Sequence, residues 1–583
     1  MSHDLADASR PSLLAPQRAG ADQDATARDA TAHDAAPGAV AASAGDSRGW
    51  WRDAVIYQVY PRSFADSDGD GMGDLPGIRS RLPYLRDLGV DAVWLSPFYA
   101  SPQADAGYDV SDYRAIDPMF GTLHDADALI RDAHALGLRI IVDLVPNHSS
   151  DQHEWFKRAL REGPGSALRE RYHFLPGKGE NGELPPNDWE SIFGGPAWTR
   201  TTNPDGTPGD WYLHLFAAEQ PDFNWENPAV ADEFRSILRF WLDMGVDGFR
   251  IDVAHGLVKA AGLPDMGSHD QLKLLGNAVL PFFDQDGVHE VYRSWRTILD
   301  EYPGERIAVA EAWTPTVART ANYVRADELH QAFNFQYLGT AWEAAELRRV
   351  IDLSLDAMRP VDAPTTWVLS NHDVVRHATR LADDAADRET GLRRARAASL
   401  LMLALPGSAY LYQGEELGLP EVTDLPDEVR QDPAFFRAAG QDGFRDGCRV
   451  PIPWSGTEAP YGFGPDGGSS WLPQPAEWAR LSVAVQQGDP SSTLELYRSA
   501  LAVRREHPAL GAGTAVTWLD GYPEGILAFR RDAAAGSFAC TVNLGAEPVR
   551  IPAPGRLLLA STETGTVDGE ILLPSDSTVW WAV

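Results

Sequence analysis

From Trp50 onward the chain alternates short, near-continuous apolar runs with longer stretches in which apolar side chains recur every three to four residues. The runs are VIYQVYP (55–61), DAVWLSP (91–97), RIIVDLVP (139–146), GFRIDVA (248–254), IAVAEAW (307–313), QAFNFQ (331–336), TTWVLSNHD (365–373) and AYLYQGEE (409–416). Their β-branched and aromatic content predicts strands buried on both faces. The periodic stretches between them, such as DADALIRDAHALGL (125–138), EFRSILRFWLDMGV (233–246), EVYRSWRTILDEY (290–302) and RRARAASLLMLAL (393–405), predict amphipathic helices. TLELYRSALAVRREHP (493–508) adds one after the last run. Strand and helix alternating eight times predict an α/β fold, a parallel (β/α)8 TIM barrel built from residues 49–148 and 224–508.

Two segments break the rhythm. Residues 149–223, rich in Gly, Pro, Asn and Trp, are too long for a plain connection and predict a subdomain inserted after the third strand. After residue 508 the pattern becomes short alternating runs, GILAFRRD, FACTVNL and STVWWAV, which predict a C-terminal all-β sandwich over 509–583. Residues 1–48, rich in Ala, Asp and Ser, have no apolar period and read as a disordered tail.

Charge and cysteine count narrow the function. With 50 Lys+Arg against 84 Asp+Glu, the net charge of −34 opposes nucleic acid and anionic membrane surfaces as partners. Two cysteines, Cys448 and Cys540, make neither a disulfide framework nor a cysteine metal site. The N-terminus lacks a secretion signal and no stretch approaches membrane-spanning length, so the expectation is a soluble cytoplasmic protein.

In such a barrel, chemistry sits where strands end at the C-terminal face. There the chain places Asp143-Leu-Val-Pro-Asn147-His148, Arg250-Ile-Asp252, Glu311 and Asn371-His372-Asp373. Arg250 and Asp252, two apart on a strand, point the same way, and the guanidinium favours the ionised carboxylate a nucleophile needs. Singly, each of these residues reads as a structural ion pair, a satisfied buried acid or a core histidine. Four acidic strand ends converging on one barrel mouth read as an active site.

DLVPNH, GFRID, AEAW and SNHD, in this order and on these strands, resemble the four motifs of the α-amylase family of glycoside hydrolases. QPDFNWENP (220–228) resembles the further motif of its α-glucosidase and oligo-1,6-glucosidase branch, and the resemblance runs from about Trp50 to the end of the chain. It implies a retaining mechanism in which Asp252 attacks the anomeric carbon and Glu311 is acid, then base. That scheme needs a protonated Glu311 beside an ionised Asp252. Asp373 is implied as the third acid, with His148, His372 and Arg250 around the same sugar. In GYDVSDY (107–113), Tyr108 resembles the tyrosine that stacks on this sugar. Asp109 resembles the acid that pairs with an arginine of GFRDGCRVPIPW (443–454), Arg445 in preference to Arg449, to close the pocket for exo action. Phe193, in SIFGGPAW, either borders the sugar or belongs to the insertion's core.

The loop from Asp66 to Asp74 carries oxygens at alternate positions, which suits a hard cation, although Gly77 stands where an EF-hand has its bidentate Glu. The pattern alone leaves a solvated turn open. The resemblance implies a structural Ca2+ site, with Mg2+ as the alternative ion, held by Asp66, Asp68, Asp70, the Met72 carbonyl and Asp74. The implied substrates are small α-glucosides: maltose, maltooligosaccharides and isomaltose. Val253 after the nucleophile resembles α-1,6-specific members, whereas the continuation AHGLVK resembles enzymes acting on maltose. The expectation is an α-glucosidase of maltose type, with oligo-1,6-glucosidase second. A transglucosidase, a sucrose hydrolase and a trehalose-forming isomerase share the scaffold. Non-catalytic transporter partners share it too, but those have lost catalytic acids and carry a membrane helix.

Overall fold

The structure, a computed structural model, describes residues 49–267, 271–437, 443, 445–511 and 513–583. The tail expected over residues 1–48 lies outside the described residues. Eight parallel strands form one sheet: β1 (Val55–Val59), β2 (Ala92–Leu95), β3 (Arg139–Leu144), β4 (Gly248–Ile251), β5 (Ile307–Ala310), β6 (Gln331–Ala332), β7 (Thr366–Val368) and β8 (Ser408–Tyr412). Each pairs with its sequence neighbours, β1 pairs with β8, and a parallel bridge between Phe333 and Thr366 closes the ring between β6 and β7. This is the TIM barrel the alternation predicts.

Among the described residues, seven long helices surround it: α1 (Leu75–Leu88), α2 (Leu123–Ala135), α3 (Pro228–Asp243), α4 (Val288–Leu299), α5 (Ala344–Met358), α6 (Arg388–Ala404) and α7 (Thr493–Glu506). Their starts follow local chemistry. Asp74, Thr122, Asn227, Asp387 and Ser492 each cap a helix by accepting a first-turn N–H, and Thr122 forms a full capping box with Asp125. After β5 there is only a single turn, Val317–Thr320, continued by a 3-10 turn.

The sixth strand is shorter than its apolar run suggests. Strand geometry ends at Ala332, and Phe335–Leu338 is a helical turn capped by the Asn334 side chain, which accepts from Tyr337 N at 3.0 Å. Phe333 and Phe335 still pack inward, so the run is apolar because it is buried.

Alternate strand residues fill the barrel. Ile56, Trp94, Ile141, Val309, Val368 and Tyr410 form one inner cluster, while Val55, Tyr57, Val93, Ile140 and Val142 face the helices. The insertion between β3 and α3 holds a helix, Glu154–Glu162, and a three-stranded antiparallel sheet of Phe174–Leu175, Trp198–Thr202 and Pro208–Leu213. Its Trp189, Trp198 and Leu213 share an apolar core with Val253, Leu280, Phe282 and Phe283 from the segment after β4. The C-terminal part is all-β, with a five-stranded and a three-stranded antiparallel sheet. It is tied to α6 by hydrogen bonds from Trp580 Nε1 to Leu400 O (3.1 Å) and Thr578 Oγ1 to Ala397 O (2.8 Å).

Candidate active site

Two residues beyond the apolar layer, the same period carries polar side chains into the upper end of the barrel: Ile56 gives Gln58, Ile141 gives Asp143, Val309 gives Glu311. Asp143 and Arg250 pair directly across β3 and β4, and Arg250 is opposite Val309 on β5. The ladder runs one step further, with Asp252 N donating to Leu144 O and Glu311 N to Ile251 O.

Arg250 is the hub. Its Nη1 donates to Asp143 Oδ1 (2.8 Å) and Asp252 Oδ1 (2.7 Å), and its Nη2 to Glu311 Oε2 (2.9 Å). One buried guanidinium therefore serves three carboxylates. Burial pushes Asp143 up to about 7, against Arg250 and its hydrogen bond. Burial also pushes the Asp252 carboxyl well up; Arg250 opposes this, while Glu311, Asp143 and Asp373 add to it. The direction runs against the ionised Asp252 that the mechanism needs, because a single cation does not neutralise three acids taken out of water.

Glu311 is held at both oxygens. Oε2 accepts from Arg250 and from Val253 N (2.9 Å), and among the described residues Oε1 accepts only from Trp313 Nε1 (3.0 Å). Trp313 is partly exposed and stacks flat on Phe335 at 4.0 Å. Val253 delivers its N–H from a left-handed backbone, φ +44°, which is strained for a β-branched residue.

Asp373 sits among cations. Its Oδ1 accepts from Arg449 Nη2 (2.8 Å) and Arg445 Nη1 (3.2 Å), and His372 Nε2 is 3.1 Å from Oδ2. Burial raises its pKa, but His372, Arg445, Arg449 and Arg250 outweigh that and hold it well below the usual carboxylate range. His372 is itself buried, which pushes it down to about 3. Tyr108 lies parallel to the His372 ring at 5.4 Å, with its hydroxyl 2.7 Å from Nε2.

These groups line a pocket of about 630 Å³ that includes Tyr108, His148, Phe193, Asp252, Glu311, Asp373 and Arg445. Phe193 thus borders the pocket, packed edge-on against Phe216 and under the Arg445 guanidinium at 5.1 Å. Trp313 and Val375, both exposed, stand at its rim. His148 Nε2 is 3.1 Å from Gln220 Nε2 of the insertion.

One assignment is corrected. The partner of Arg445 is Asp105, whose Oδ1 accepts from Nη2 at 3.1 Å. Asp109 is fully buried and turned into its own loop, accepting from Ser101 Oγ (2.9 Å), Ala104 N (2.8 Å) and Asp105 N (3.0 Å). Those donors need an acceptor inside the turn, so Asp109 builds the loop and Asp105 faces the pocket. Arg445 also donates to Asp432, from Nη2 (2.7 Å) and Nε (3.1 Å). Sequence reasoning assigned no role to Asp105, Phe216, Gln220 or Trp313, and counted Asp143 among the acidic strand ends without giving it a task. The task of Asp143, accepting from Arg250, and the place of Phe216 and Gln220 beside the pocket are supplied only by the folded chain.

In the acidic loop, Asp66, Asp68 and Asp74 bring oxygens within 4.8 Å of one another. Gly69 and Gly71, both with positive φ, donate to Asp66 at 2.7 and 3.0 Å. Asp70 is not in that group; its Oδ1 accepts from Met72 N at 2.8 Å. Three clustered carboxylates repel one another, and an oxygen-only donor set fits a hard divalent cation.

A closed (β/α)8 barrel whose strand ends gather carboxylates, an arginine and aromatic walls into one pocket defines a sugar-processing enzyme of the glycoside hydrolase type. Residues 58–513 match the family described as Alpha amylase, catalytic domain, and residues 497–580 match a domain of unknown function, DUF3459. The chain belongs to the α-amylase family of glycoside hydrolases. It is 40% identical over 485 residues to a probable alpha-glucosidase of Rhizobium meliloti, covering 80% of this chain and 84% of that one. It is 35% identical over 496 residues to an oligo-1,6-glucosidase of Parageobacillus thermoglucosidasius, covering 80% and 85%. Among solved structures it resembles an alpha-glucosyl transfer enzyme, XgtA, with TM-score 0.80 and 37% identity over 91% of this chain and 99% of that one. Among the described residues, no helix is long and apolar enough to cross a membrane.

Proposed function

We propose that the protein is a retaining, exo-acting α-glucosidase that releases glucose from the non-reducing ends of short α-glucosides. The observation that carries the reading is Arg250, which gathers Asp252 and Glu311 into one buried site beside a pocket wall sealed by the Asp105–Arg445 pair. A wall of that kind admits a chain end and stops the next sugar.

Asp252 Oδ1 is tied to Arg250, and among the described residues Oδ2 has no protein donor, so Oδ2 is the attacking oxygen. Its electron pair forms the bond to the anomeric carbon as the glycosidic C–O bond breaks. The leaving oxygen takes its proton from Glu311 Oε1, because Oε2 already accepts two hydrogen bonds. In the second half Glu311 takes a proton from water, whose oxygen displaces Asp252. Asp373, anionic between two arginines, accepts from sugar hydroxyls and favours the cationic, distorted ring. The sugar brings hydroxyl donors into the cluster and excludes water, and the charge developing at the anomeric carbon favours the Asp252 anion.

In this reading Asp66, Asp68 and Asp74 hold Ca2+, or Mg2+ in its place, and the ion supplies charge neutralisation for the loop after β1.

Maltose-type α-1,4 bonds are the preferred substrates, supported by the 40% identity to a probable alpha-glucosidase and by the run after Val253. Oligo-1,6-glucosidase is the second reading, favoured by Val253 itself on the pocket wall. Glucose release from maltose and from isomaltose, with Asp252→Asn protein as blank, separates them. Faster release from isomaltose would reverse the order, and undiminished activity in the blank would end the mechanism.

A further inference from the structure

His372 lies between two tyrosines, 5.8 Å from the Tyr60 ring and 5.4 Å from the Tyr108 ring, and is almost fully buried. Its Nε2 faces Asp373 Oδ2 at 3.1 Å and Tyr108 Oη at 2.7 Å. Asp373 is anionic, since two arginines bind its Oδ1, and a carboxylate has no hydrogen to give. A bare Nε2 lone pair would face that anion at 3.1 Å, which favours a hydrogen on Nε2, given to Tyr108 Oη. Burial keeps the ring neutral, so Nδ1 is a bare lone pair.

The group facing that lone pair is the Gln58 side chain, at 2.7 Å. Only its NH2 end can do so; the carbonyl end would set lone pair against lone pair. The second hydrogen of the same NH2 reaches Ser96 Oγ at 3.1 Å. The amide oxygen meanwhile finds no protein partner in its buried position, so the amide keeps this orientation at the expense of its own acceptor.

We infer that Gln58 is a positioning residue that locks His372 as the neutral tautomer protonated on Nε2. The inference rests on the proposed sugar site, and its first test reads no activity. With Gln58 in place every hydrogen bond in the series points one way. Gln58 donates to His372 Nδ1, His372 Nε2 donates to Tyr108 with the Asp373 carboxylate 3.1 Å away, and Tyr108 donates to Asp143 Oδ2 at 3.2 Å. The opposite tautomer would set the Nε2 lone pair against Asp373 and turn the Tyr108 hydrogen away from Asp143. Gln58 is buried on β1 and is not among the residues lining the main pocket, so it acts through His372.

Neutron diffraction from D2O-exchanged crystals of the unmodified protein locates the hydrogens directly. We expect a deuteron on His372 Nε2, none on Nδ1, and the Gln58 ND2 group facing the ring. A deuteron on Nδ1 overturns the inference whether or not any α-glucoside is hydrolysed. The second test is Gln58→Met, which keeps the length of the side chain and removes the donor. Part of the deuteron should then move to Nδ1, since only Asp373 still opposes it, and kcat should fall about 10- to 100-fold with a smaller change in KM. A Met variant that keeps the Nε2 tautomer and the unmodified kcat would show that Gln58 merely fills space. If that variant does not fold, the neutron map of the unmodified protein still decides the tautomer.

Discussion

The contrast between Asp105 and Asp109, four residues apart in one loop, puts the pocket geometry to its sharpest test. Asp105→Asn preserves shape but removes the charge opposite Arg445 at 3.1 Å and weakens the acceptor for Gln220 Nε2 at 3.2 Å. Arg445 stays folded against Asp432 and Asp373, so the protein should lose little stability. A hydrogen bond to a charged group is worth about 1.5–3 kcal/mol, and each 1.4 kcal/mol is tenfold in rate, so kcat/KM should fall about 10- to 100-fold. Asp109→Asn does the reverse. It turns an NH2 toward a turn that supplies three donors, losing one or two hydrogen bonds, about 1–3 kcal/mol. In a chain of this length that is about 1–3 °C in Tm. The assay is hydrolysis of a chromogenic α-glucoside alongside thermal melting for both variants. If Asp109→Asn lost catalytic efficiency at unchanged Tm while Asp105→Asn kept it, the pairing in the structure would be refuted.

Three further outcomes follow from the same geometry. Arg250→Lys replaces a fork serving Asp143, Asp252 and Glu311 with a single ammonium, and hydrolysis should drop by about a thousandfold or more in steady-state assays, because a point charge cannot hold three acids in register. Chelation of divalent ions should lower Tm and added Ca2+ restore it, by about 2.7 kcal/mol at a hundredfold excess over Kd; Asp68→Asn should abolish that response, and equal melting with and without chelator would argue against an ion there. Burial pushes Glu415 up to about 8, so between its unfolded value and that pH the folded state holds a proton the unfolded chain has lost. This contribution is fully present below the unfolded pKa and is lost as pH rises toward 8, at about 1.4 kcal/mol per pH unit. Melting of Glu415→Gln between pH 6 and 8 should show a flatter decline than the unmodified protein, and an identical slope would refute the assignment.

The barrel was legible because its strands are apolar on both faces and its helices keep a clean period; these are local properties. Acids at strand ends were legible for the same reason: Asp143, Asp252 and Glu311 interrupt apolar runs. The sixth strand was overread, since burial alone makes Phe333 and Phe335 look like strand residues while Asn334 turns the chain. Asp105 and Asp109 could not be told apart by spacing, because the choice depends on which backbone N–H groups the loop turns inward. The tautomer of His372 depends on the neighbouring Asp373 and also on Gln58, 314 positions away in the chain, and no local pattern encodes the second.

Val253 answers to two demands at once. Its N–H holds Glu311 and its side chain belongs to the apolar core that joins the insertion to the segment after β4, around Trp189 and Phe283. A change at this position made to alter which bond is cut also alters how the pocket's two sides are glued together. The accessible substitutions are those of similar volume, and larger changes need a compensating partner in the insertion. Linkage preference and the architecture of the insertion are therefore expected to drift together, so that transplanting one without the other yields a weaker protein.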